Sequence, residues 1–280
     1  MITLFNDFIF HFQEFEFIRI ALIATLLVTL ICGLLSPLVV LKQRSYIGET
    51  LSHVIFPGVI FGYFCAEFFQ LPFWLCLFLG ASITALLGTY ILENILKTLK
   101  IPNDAAAIIC LTSFFAIGII QLSKMRSSRI DPGKILFGDV LTLSWTDISL
   151  LAVVLGAVSL AIVTLKKHWN AWLSDPEFAE VAGFKVKLLD KLFPVLVTFT
   201  VLTGLFAVGG LMISALLTFP AVLYQPRSVV SFPTLLISVT AGLIGFCLSF
   251  QLNWPVGPSI VVASFAFVLI RIGALRLKPF

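Results

Sequence analysis

The stretch 44–59, RSYIGETLSHVIFPGV, sets Glu49 and His53 four residues apart in a chain that otherwise avoids charge. On an α-helix, positions i and i+4 share a face, with about 6 Å of rise between them. A carboxylate and an imidazole so placed can both bind one divalent cation. Imidazole suits Zn or Fe(II), and carboxylate suits Mn especially. The competing reading is structural: Glu49 answers the positive end of a helix dipole, and His53 bonds a neighbour. Spacing alone leaves both open. His53 lies further into the apolar run, where an ionisable side chain marks a functional position by default. Two ligands are too few to hold an ion tightly, so other spans or a second copy of the chain must contribute. Incomplete coordination also suits an ion in transit, which must leave as well as enter.

Other chemistry is sparse. His11 and His168 fall at loop positions near water, and the five cysteines (Cys32, Cys65, Cys76, Cys110, Cys247) all sit inside apolar runs without a CxxC pair. They read as small buried hydrophobes, not as a disulfide framework or a zinc knuckle. The chain contains no GxxxxGK[ST] loop, so it does not hydrolyse ATP itself, and no HExxH or GxSxG motif supports an intramembrane enzyme.

The elements that position the pair follow from composition. Of 280 residues, 60% are hydrophobic and 11% charged, against roughly 25% charged in a soluble domain. Several apolar runs reach the ~20 residues that cross a bilayer as a helix. The fold class is therefore all-α and polytopic. Spans are expected at about 18–41, 52–69, 71–92, 103–123, 147–165, 230–250 and 256–275. The stretch 192–224 is too long for one span and is broken by Gly204, Gly209, Gly210 and Pro220, so the count is eight or nine. Residues 1–17 form an N-terminal segment in which Phe alternates with Asp7, His11, Glu14 and Glu16, a pattern for the membrane interface. No basic region precedes Arg19, so this segment does not read as a cleaved signal peptide. Residues 18–280 form one transmembrane domain.

Basic residues orient the chain. Lys42 and Arg44, Lys97 and Lys100, and the group Lys166, Lys167, Lys185, Lys187 and Lys191 occupy alternate loops that can all be cytoplasmic. The loop 124–145, with Lys124, Arg126, Arg129 and Lys134, dissents. Glycines inside the spans read mainly as close helix packing. The longest polar insert, 166–191, contains DPEFAEVAG, a short helix with Asp175 as N-cap, Pro176 in its first turn and Gly183 at its end. It is either a solvated connector or a docking element for a cytoplasmic partner.

With these motifs in view, the chain resembles the membrane-spanning subunit of bacterial ABC importers for divalent metals, the zinc/manganese/iron permease family. IGETLSHVIFPGV is similar to that family's IGDALSHAVLPGV, and SDPEFAEVAGFKVKLLD to its DPEFARALGLPVRLLD. NDAAAIICLTSFFAIGII, FGDVLTLSWTDI, GGLMISALLTFPA and NWPVGPSIV match further signatures, so the likeness runs from about 18 to 275. The resemblance implies a type II importer permease in the bacterial cytoplasmic membrane, paired with a second permease copy, either identical or a paralogue. Cytoplasmic ABC ATPase subunits would dock below, and an extracytoplasmic metal-binding protein would deliver Zn, Mn or Fe from above. It implies no permanent cofactor and no nucleic-acid partner. It assigns Glu49 and His53 to the metal pathway, and Asp175, Pro176, Glu177, Phe178, Ala179 and Gly183 to ATPase coupling. Position 49 departs from the pattern, with Glu where the family usually has Asp. Permeases for metal chelates of the siderophore or cobalamin type, and ion-coupled secondary carriers, are the competing function classes.

Overall fold

A computed structural model describes residues 15–124 and 140–276. Twelve α-helices are found among them. They are α1 (Glu16–Leu41), α2 (Ile47–Val54), α3 (Phe56–Phe69), α4 (Phe73–Leu99), α5 (Asn103–Ser123), α6 (Trp145–Thr164), α7 (Lys166–Ser174), α8 (Pro176–Val181), α9 (Val186–Val208), α10 (Gly210–Tyr224), α11 (Phe232–Leu252) and α12 (Val256–Arg276). Among the described residues, eight stretches are long and apolar enough to cross a membrane, with α2 and α3 counted as one span, Ile47–Phe69. The expected segment 1–17 lies outside the described residues up to residue 14, and Phe15 leads directly into α1. Arg126, Arg129 and Lys134 are likewise outside them.

The stretch 192–224 resolves into two antiparallel pieces. Helix α9 begins earlier than expected, at Val186, inside the polar insert. It ends at Gly209, whose φ of 88° and ψ of 156° are open to glycine and strained for other residues. The chain then returns as α10, whose 15 residues span about 22 Å, short of the ~30 Å hydrocarbon core. Gly204 and Pro220 stay within helices. The membrane elements therefore number eight full spans and one short one among the described residues.

Side-chain contacts gather the loops at two ends. At one, the Lys42 ammonium sits 3.6 Å from the Trp172 ring centroid, Arg44 pairs with Glu93, and Asn103 Nδ2 donates to the Gln43 carbonyl at 3.3 Å. Asn170 Oδ1 accepts from the Val229 amide at 2.9 Å, and Arg271 donates to the Val222 carbonyl at 3.1 Å. This end holds most of the basic loops, and the bias of Lys and Arg assigns it to the cytoplasm. At the other end, the Trp145 indole donates to Glu16 at 2.7 Å. The alternation inferred from the sequence is thus the alternation of the fold. The most buried spans are α1, α2–α3 and α9, and the others surround them.

Glycines set the tightest packing. A Cβ added at Gly80 of α4 would lie 2.2 Å from the Gly58 carbonyl of α3, and one at Gly62 would lie 2.2 Å from the Cys76 carbonyl. The two backbones therefore touch along this seam, where no side chain can yield. Gly80→Val is expected to destabilise the detergent-solubilised protein by about 1–3 kcal/mol through overpacking, read as a lowered unfolding midpoint. Gly156 in α6 meets nothing within 4 Å. Gly156→Ala should instead raise the midpoint slightly, because alanine is favoured over glycine in a helix interior by about 0.5–1 kcal/mol.

Candidate functional site

Helix α2 is a half-helix. It starts at Ile47, earlier than the polar break at 42–49 indicated, so Glu49 lies in its first turn and not in a loop. The chain bends at Ile55, and α3 resumes with Pro57 in its first turn. Proline cannot donate to the carbonyl four residues back, so an uninterrupted helix is disfavoured there. The break leaves Glu49 and His53 together on one short, separately packed element.

The two side chains meet as their spacing predicts. His53 Nε2 lies 3.0 Å from Glu49 Oε1. Two cis donors on an octahedral ion with bonds of about 2.1 Å stand about 3.0 Å apart, so the pair can accept an ion with little movement. The His53 side chain is 16% exposed and that of Glu49 34%, so the carboxylate opens toward the surface of the protomer while the imidazole lies deeper. His53 Nδ1 is buried and has no hydrogen-bond partner. The ring is held by an edge contact to Phe115 of α5, 5.0 Å between centroids, and Phe115 packs in turn on Phe56.

A third polar group comes from α10. Ser214 Oγ donates to Glu49 Oε2 at 2.8 Å and also lies 2.7 Å from the Gly210 carbonyl of its own helix. Sequence reasoning missed this residue. The available signal was a lone serine just after the Gly209–Gly210 break, in the one segment whose punctuation already pointed to a broken helix. Two glycines seat α10 on α2: a Cβ on Gly48 would lie 3.2 Å from Ser214 Cα, and one on Gly210 would lie 2.7 Å from Ser52 Cβ. No group of three or more His, Cys, Asp or Glu side chains able to hold a metal occurs among the described residues. One protomer therefore offers a carboxylate, an imidazole and a hydroxyl, on two elements.

The docking candidate forms as a capped helix. Asp175 accepts from the Phe178 amide at 3.0 Å and Pro176 opens α8. Gly183 at φ 81° closes it, with Phe184 N–H bonding the Ala179 carbonyl at 2.9 Å and Gly183 N–H bonding that of Glu180 at 3.1 Å. Ala179 is fully buried and anchors the helix, while Phe178 (68% exposed) and Val181 (89% exposed) face outward. Glu177 is also exposed, and Glu180 pairs with Lys187 at 3.0 Å. The preceding helix, α7, is tied to the membrane core. Trp172 donates from Nε1 to Asp190 at 2.9 Å, and its carbonyl and ring receive Lys42. Burial holds the Lys42 ammonium below its ordinary pKa; Asp190 opposes that shift and Arg44 adds to it.

Known proteins share this architecture. A sequence profile described as "ABC 3 transport family" matches residues 14–274. The chain is 29% identical over 269 residues to "Manganese import system permease protein ScaB" of Streptococcus parasanguinis, covering 95% of this chain and 93% of that protein. It is 26% identical over 272 residues to "Chelated iron transport system membrane protein YfeD" of Yersinia pestis, covering 95% and 88%. Among solved structures, "PsaBC from Streptococcus pneumoniae in complex with Fab" superposes with a TM-score of 0.80 at 30% identity, over 95% of both chains.

Proposed function

Because the chain belongs to the ABC 3 transport family, we propose that it is the permease of an ATP-driven importer for divalent metal ions in the cytoplasmic membrane. The observation that carries this reading is the Glu49–His53 pair on the half-helix α2, poised at 3.0 Å with an open carboxylate. Zn, Mn or Fe(II) would be cargo, held briefly by these two ligands of each permease copy. A second copy would complete the coordination that one protomer leaves short. Residues 18–280 act as one transmembrane unit. The protein itself serves as a transport subunit, and hydrolysis of ATP belongs to separate subunits.

Those subunits would dock on α8, where Asp175, Pro176 and Gly183 shape the helix, Ala179 anchors it, and Glu177 and Phe178 meet the partner. From there a short contact path leads inward. Helix α7 grips Lys42 through Trp172, and the Arg44 carbonyl accepts the Ile47 amide that starts α2. Displacing α8 therefore bears on the element holding Glu49 and His53, which is how ATP binding elsewhere can bias an inward–outward equilibrium. An extracytoplasmic metal-binding protein would supply ions at the opposite end.

The test is reconstitution with the ATPase and the binding protein in proteoliposomes, followed by elemental analysis of what accumulates. ATP-dependent uptake of Mn, Zn or Fe is the expected result. The name of the Yersinia pestis relative favours a chelate as the second reading. Uptake competed by a chelate and not by the free ion would establish that reading instead.

A further inference from the structure

We infer that Ser214 is a positioning residue for Glu49, and that glutamate at 49 and serine at 214 form a matched pair across α2 and α10. The inference rests on the proposed role of Glu49 and His53 as ion ligands. Glu49 divides its two oxygens: Oε1 faces His53 Nε2 on its own helix, and Oε2 takes the Ser214 hydroxyl of another. A freely rotating carboxylate could present either oxygen, or both, to an ion. The Ser214 bond removes that choice and presents one oxygen beside the imidazole.

The pairing explains why the longer acid stands at position 49. Removing one methylene withdraws the carboxylate by roughly 1.5 Å. That takes the 2.8 Å contact well past the ~3.2 Å limit of a good hydrogen bond. An aspartate in this register would lose Ser214 and stand further from His53. The glycine seam makes the distance dependable, because Gly48 allows Ser214 Cα to approach and Gly210 accepts Ser52. Ser214 lies five residues beyond the Gly209 turn, so any reorientation of α10 about that turn also changes how Glu49 is held.

The experiment is a double-mutant cycle on ATP-dependent uptake by the reconstituted complex, with Mn2+ and with Zn2+ as probes. Ser214→Ala should raise the KM for the ion about three- to tenfold, the scale of one typical net hydrogen bond of about 1 kcal/mol, with kcat nearly unchanged. Ser214→Thr, which keeps the hydroxyl, should restore KM. Glu49→Asp should weaken uptake on its own, and adding Ser214→Ala to Glu49→Asp should cost nothing further. Gly48→Ala, whose Cβ would meet Ser214 Cα at 3.2 Å, should shift KM in the same direction by less than Ser214→Ala. Additive losses in the double variant, a silent Ser214→Ala, or failure of threonine to rescue would each overturn the pairing. If His53→Ala abolishes uptake while any of these occurs, only the Ser214 assignment falls. If His53→Ala leaves uptake intact, the ion site falls and this inference with it.

Discussion

Replacing His53 with alanine is expected to abolish ATP-driven metal uptake while the protein still accumulates in the membrane. The imidazole is the deeper of the two proposed ligands, fixed edge-on against Phe115 and directed by Nε2 toward Glu49. Loss of a group that merely orients a metal ligand already costs about 10–100-fold. Loss of the ligand itself should cost at least that. The substitution also removes the half-buried ring contact with Phe115, so membrane abundance and the unfolding midpoint must be measured alongside uptake. His53→Gln, which fills similar space with a weaker donor set, separates packing from ligation. It should recover stability without recovering uptake. Uptake by His53→Ala indistinguishable from the wild type would remove this histidine from the pathway.

The second large effect is expected at the cytoplasmic end. Phe178→Asp combined with Val181→Asp should uncouple the permease from its ATPase without unfolding it. Both side chains are largely exposed on the capped helix α8, so their exchange removes little from the protomer's own core. An exposed aromatic suits an interface anchor, and one such anchor is worth about 2 kcal/mol or more, roughly 30-fold in affinity. The expected outcome is loss of ATPase subunits on affinity purification of the solubilised permease, with transport lost in parallel. Ala179→Asp is the instructive contrast. It places a charge at a fully buried position and should lower permease stability itself. Retention of the ATPase by the Phe178/Val181 variant would move the docking surface elsewhere.

Much of this arrangement is legible in one dimension because the bilayer is a simple solvent. A span must be apolar for a set length and must satisfy its backbone internally, so hydropathy alone places seven of the eight long spans and leaves 192–224 open. Local chemistry is equally direct where partners are close in the chain. The Glu49–His53 contact needs only helical spacing, and Asp175 and Gly183 need only the rules of helix ends. Boundaries are less legible. Helix α4 continues to Leu99, beyond the expected 92, because Glu93, Asn94 and Lys97 are good enough helix residues and Glu93 finds Arg44. Helix α9 starts inside the polar insert for a related reason: Val186 and Leu189 are buried at the foot of the bundle.

Legible from local residues are the class of molecule, the order of most of its spans, the i,i+4 contact of Glu49 with His53 and the capped helix α8. Each depends on interactions within a few residues or on the uniform demand of the membrane. Which distant element meets each of these is settled by packing in three dimensions. Ser214 stands 165 residues from Glu49 in the chain, and nothing in its neighbours announces that its hydroxyl faces a carboxylate. That meeting requires α10 to turn back at Gly209 and to press on α2 through Gly48 and Gly210. Close approach between backbones is set by the packing of whole helices, a cooperative property that no single stretch encodes. The Glu49–His53 pair is a feature of α2; the site it belongs to is a feature of the fold.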